Sequence, residues 1–107
     1  MFRHVVMVRF TDEMTEDGKA ALRAGLARLP DVIPEIRAYR FGDDLGLNEG
    51  NFDFVVTADF DAADGYLTYR DHPEHQQVVK ERLAPFVAKR AAVQFEWTSA
   101  LPPDLPG

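Results

Sequence analysis

The sequence predicts an α+β fold in which four strands form one antiparallel sheet with helices on one face. Three observations predict it. Strict alternation of apolar residues appears at residues 2–10, 52–60 and 91–97, the period of a pleated strand. Helical spacing appears between the first two of these and again before the third. The resulting order, β-α-β-β-α(α)-β, is that of the ferredoxin-like arrangement.

Residues 2–10 place Phe2, His4, Val6, Val8 and Phe10 on one face, with Arg3, Val5, Met7 and Arg9 on the other. Residues 15–29 change period: Leu22, Leu26 and Leu29 recur at helical steps, Glu16 and Asp17 suit a first turn, and Pro30 is expected to stop the run. Residues 36–41 read as a second strand, and the acidic, glycine-containing stretch 42–51 as a loop. In 52–60, Phe52, Phe54, Val56, Ala58 and Phe60 share one side. Asp61 is the expected N-cap of a helix over 62–71, with Asp64 in its first turn. Pro73 suits the first position of a new helix. That helix presents His75, Val79, Leu83 and Phe86 on one face, and Pro85 should bend its last turn. The final strand carries Ala91, Val93, Phe95 and Trp97 on one side. Residues 1–98 form the predicted domain, and the proline-rich 99–107 an extended or disordered tail.

At 107 residues the chain supports one core. It has no cysteine, hence no disulfide, thiolate nucleophile or cysteine-held zinc. A net charge of −6 speaks against nonspecific nucleic-acid binding. The opening ten residues are too short and too polar at their edges for a signal peptide, and no apolar run reaches membrane-spanning length. These features point to a soluble protein of a reducing, cytoplasmic setting.

Helices are expected to cover one face of the sheet. The other would offer Val5, Met7, Val55, Thr57, Tyr39 and Phe41 to water. A patch of that kind on a small domain marks an interface. A homodimer whose sheets meet face to face closes it symmetrically.

The chemistry-bearing residues are few. His4 lies on the more apolar face of strand one, His75 on the apolar face of the last helix, and His72 beside Pro73. A neutral imidazole can accept a proton near physiological pH. Tyr69 ends the preceding helix, where its hydroxyl is expected to reach an imidazole across the junction. His4, Tyr69 and His75 are therefore expected to converge between sheet and helices. The alternative is that both histidines are satisfied core residues and Tyr69 packs. The spacing of His72 and His75 suits two ligands of one ion, but no further ligands suggest themselves, and neither a metal nor another cofactor is expected.

These residues resemble the stress-responsive α/β-barrel (Dabb) family. The resemblance rests on Arg3-His4-Val5-Val6 and Arg9-Phe10, on Phe60-Asp61, on Tyr69-x-x-His72-Pro73-x-His75, and on Val93-Gln94-Phe95-Glu96. It implies a ferredoxin-like subunit that dimerises through its sheet as a dimeric α+β barrel, with a pocket between sheet and helices. The family includes plant stress-induced proteins and polyketide cyclases of the olivetolic acid type, which perform an aldol condensation without a cofactor. By that resemblance, His75 falls on the cyclase general base, Tyr69 on its partner and His4 on a pocket histidine. Leu26 stands where the cyclase carries a first-helix tyrosine. Two classes stay open: cofactor-independent acid–base catalysis on a carbonyl or polyketide-like substrate, and a non-catalytic dimer that binds a small apolar ligand or none. A cofactor-free monooxygenase of the related barrels is a third reading.

Overall fold

The computed structural model describes residues 1–98; the tail predicted over 99–107 lies outside them. The elements are β1 (Phe2–Phe10), α1 (Glu16–Val32), β2 (Ala38–Asp43), β3 (Phe54–Phe60), α2 (Ala63–Asp71), α3 (Pro73–Val78) and β4 (Val87–Glu96). A π-helical turn (Val79–Leu83) and a 3₁₀ turn (Ala84–Phe86) join α3 to β4. All pairings are antiparallel, in the order β2-β3-β1-β4. This is the ferredoxin-like sheet, with the helices on one face.

The pairing register decides which side chains face the helices. Val6 and Val8 of β1 stand beside Val56 and Phe54 of β3 and are buried. Leu22, Leu26 and Leu29 of α1 close over them. Tyr39 and Phe41 pair with Ala58 and Val56, so they belong to this inner face and pack against the core. They are not part of the outer patch, because strand parity is fixed by the neighbour. The outer face instead gains Ala91, Val93 and Phe95, which stand opposite Met7, Val5 and Arg3. On the inner side, β4 presents Arg90 opposite Val8 and Gln94 opposite His4.

Two helix ends depart from expectation. Thr15 caps α1, accepting from the Gly18 amide at 3.0 Å. Pro30 sits inside α1, which runs on to Val32. The missing Pro30 N–H removes one bond only, and the Ile33 amide still donates to the Leu29 carbonyl at 2.9 Å. Asp61 does not cap α2. Its carboxylate is held by Arg37 at 2.9 and 3.1 Å, and Ala62 occupies the N-cap position without a side-chain bond. Strand β2 runs from Ala38 to Asp43, shifted two residues toward the C-terminus from the predicted span.

The junction between α2 and α3 follows from His72-Pro73. Extended backbone at His72 ends α2, as expected for a residue before proline. Pro73 then opens α3, while His72 Nδ1 accepts from the Glu74 amide at 3.1 Å. Farther on, Pro85 has no N–H to offer, and the chain leaves regular α geometry before it: the Ala84 amide donates to the Val79 carbonyl, a π-type bond.

Candidate functional site

Between the inner face of the sheet and the helices lies a cavity of about 190 Å³. His4 from β1, Tyr66 and Tyr69 from α2, and His75 from α3 line it. Its walls are otherwise aliphatic, from Val6, Leu26, Val56, Val79 and Leu83, with Arg70 and Arg90 also bordering it. The three residues singled out in the sequence thus share one space. A larger hollow of about 480 Å³ on the outer side, beside Met7, Phe52 and Val55, contains no histidine or tyrosine.

Each imidazole has one nitrogen fixed. Gln94 Nε2 donates to His4 Nδ1 at 2.8 Å, so the neutral ring carries its proton on Nε2. Against the Arg70 carbonyl at 3.1 Å, His75 Nδ1 is the donor, which leaves Nε2 as the bare lone pair. The two histidines therefore hold complementary tautomers, His4 a donor and His75 an acceptor. Burial lowers His75 below its ordinary value, against the opposing effect of the Arg70 carbonyl. His4 falls to about 4 through burial, with the charges of Arg90 and His75 adding to it.

Tyr69 is nearly fully buried, and its ring lies 4.1 Å from that of His75. Its hydroxyl does not bond the imidazole, contrary to the sequence expectation. It pairs with the Tyr39 hydroxyl at 2.8 Å, and the Arg70 carbonyl takes the orienting role at His75. Burial pushes the Tyr69 phenol up to about 12, with the bond from Tyr39 opposing the rise, and pushes Tyr39 up as well. Both remain protonated donors at neutral pH. His72, by contrast, is spent on the α3 cap. Among the described residues, no three histidine, aspartate or glutamate side chains gather as a metal site.

The roles of Tyr39, Gln94 and Arg90 at the cavity are not legible in the sequence. The sequence pattern puts Tyr39 on the outer face, and its pairing with Ala58 turns it inward. Gln94 and Arg90 lie on the polar side of β4, where alternation alone points apolar residues inward. Their signal is the register with β1, which a single strand does not reveal.

Sheet order, one-sided helices and a histidine-lined cavity define a ferredoxin-like domain of the small α+β barrel class. The chain belongs to the stress-responsive A/B barrel domain (Dabb) family, whose model matches residues 2–97. A stress-response A/B barrel domain-containing protein of Arabidopsis thaliana, At5g22580, is 28% identical over 78 residues, covering 69% of this chain and 67% of that protein. The crystal structure of a dimeric ferredoxin-like protein of unknown function from Thermobifida fusca is similar at 44% identity and a TM-score of 0.83, covering 90% of each chain. A hydroxynitrile lyase from Passiflora edulis shares the fold at 20% identity and a TM-score of 0.81, covering 94% of this chain and 96% of that one. Among the described residues, no helix is long and apolar enough to cross a membrane.

Proposed function

We propose that the protein is a homodimer joined through the outer face of its sheet, and that each subunit binds a small carbonyl compound and abstracts a proton α to the carbonyl without a cofactor. The observation that carries the catalytic part is the Arg70 carbonyl on His75 Nδ1. It presets the tautomer whose Nε2 can accept a proton, inside a cavity walled mainly by aliphatic and aromatic side chains.

The step needs three groups. His75 Nε2 takes the α proton, and the C–H electron pair moves onto the carbonyl oxygen as an enolate. When the Tyr39 hydroxyl donates to the Tyr69 oxygen, one of the two directions this pair can take, the Tyr69 proton is free to bond the enolate oxygen, and its bond strengthens as charge develops. His4, with its proton on Nε2, supplies a second donor that orients the bound carbonyl. The dimer is supported by the apolar outer face and by the dimeric Thermobifida fusca relative.

Deuterium exchange at the α carbons of cyclohexanone, followed by NMR in heavy water, tests the chemistry. The wild type should accelerate exchange, and His75→Ala should return it to the background rate while leaving the melting temperature within a few degrees. Binding of cyclohexanone with no acceleration would replace catalysis by the reading of a ligand-binding dimer.

A further inference from the structure

The chain carries 18 acidic and 12 basic residues, yet its cavity reverses that balance. Among the described residues that line it, none is an aspartate or glutamate, and two are arginines. Arg70 is already engaged: its Nε and Nη2 hold both oxygens of Asp71 at 2.8 and 3.1 Å. Arg90 is different. Among the described residues, its side chain forms no ion pair and no hydrogen bond, and only its backbone is engaged, in the ladder with β1. It stands on the inner face of β4, opposite Val8 and two inward-facing pairs along from the His4–Gln94 pair. The guanidinium is therefore an unfilled, planar, five-donor fork at the border of a chamber walled mainly by aliphatic and aromatic side chains.

We propose that the cavity takes small carboxylates, the apolar body lodged against Val6, Leu26 and Val56 and the carboxylate held by Arg90 at the mouth. Four features of the site fit this ligand. A carboxylate matches the guanidinium fork with two parallel bonds. Arg90 is solvent-exposed, so an anion there keeps part of its hydration and avoids most of the cost of burying a charge. The depth is suited to the uncharged end, because His4 and His75 are both shifted toward their neutral forms and little charge remains inside to hold an anion. The volume of about 190 Å³ admits a compact body of the size of one saturated ring. In the catalytic reading, the substrate becomes a small keto acid, with its carbonyl at Tyr69 and its acid group at Arg90. The inference rests on the proposed function only in using the same cavity.

The test is an NMR titration that follows the His4 and His75 imidazole resonances. The probes are cyclohexanecarboxylate, the neutral isostere cyclohexanecarboxamide, and inorganic phosphate. The carboxylate should bind at least about tenfold more tightly than the amide, the ratio expected for one charge-assisted bidentate contact. In Arg90→Gln its affinity should fall to that of the amide, and Arg90→Lys should retain part of the preference. Equal affinity for carboxylate and amide, or a preference that survives Arg90→Gln, would overturn the proposal while leaving the cavity as a binding site. Phosphate matching the carboxylate would also overturn it, since the site would then read charge alone. If neither ring compound shifts the histidines, the proposal and the proposed function's cavity fall together.

Discussion

His4 shows how one side chain carries both structure and chemistry. It is 5% exposed, its ring lies 4.8 Å from that of Tyr66, and Gln94 fixes its tautomer. The unfolded chain binds a proton on this residue near pH 6.5, while the folded chain resists doing so until about pH 4. Between those values the unfolded state holds more protons, so stability is full above the upper value and falls as pH falls toward the lower one. The expected loss is on the order of 2–3 kcal/mol across that window, with His75 adding a loss of the same sign. Urea denaturation at a series of pH values measures it, and His4→Leu should flatten most of the slope. An unchanged slope in that variant would assign the effect elsewhere. At this scale the sequence revealed His4, Tyr69 and His75, because each sits on the apolar stripe of its own element. It did not reveal their partners. The Arg70 carbonyl at His75 is a backbone group without a side-chain signature, and Tyr39 reaches Tyr69 only through strand register.

At the scale of elements, the close contact between α1 and the last helical segment lies beside the cavity, to which these elements lend Leu26, Val79 and Leu83. Gly25 makes it possible. A Cβ built there would come within 3.2 Å of both Val78 methyl carbons and 2.9 Å of Arg82 Nη1. That guanidinium is itself committed to the Ala21 carbonyl at 2.7 Å, so it cannot swing away without losing a bond. Gly25→Val should therefore lower stability by about 1–3 kcal/mol through overpacking, even though valine is no worse a helix former than glycine. Thermal denaturation checks this, and a variant as stable as wild type would show that the helices can separate freely. Leucine spacing made α1 legible, and His72-Pro73 marked the start of α3. Pro30 misled because proline in the last turn of a helix deletes one bond without ending the packing of Leu22, Leu26 and Leu29. Asp61 misled because a carboxylate near a helix start is equally available to an arginine, and Arg37 was close enough to take it.

Across the whole molecule, the sheet has one face covered by helices and one face bare. Val5, Met7, Val55 and Thr57 were assigned to the bare face from alternation alone, and register places them there. The β4 contribution was not legible, since an apolar row on an edge strand fits either face until its partner is known. That row changes the argument about assembly. Val93 is 54% exposed and Phe95 44% exposed, beside Met7 at 37%. Together they form a continuous apolar strip across β1 and β4. Such strips are rarely left to water, and a two-fold axis through the sheet would bury the strip against its own copy. Val93 is the sharper probe than Val5, which is already half covered within the subunit. Glutamate at position 93 would leave the subunit's own core untouched, since the side chain points away from the helices. In the dimer it would bring two copies of a negative charge into an apolar interface near the axis, at a cost of several kcal/mol. Sedimentation of Val93→Glu should therefore shift toward the monomer at micromolar concentration, with far-UV circular dichroism unchanged. The proposed face-to-face pairing is wrong if Val93→Glu sediments like the wild type, or if the wild type is itself a monomer under those conditions.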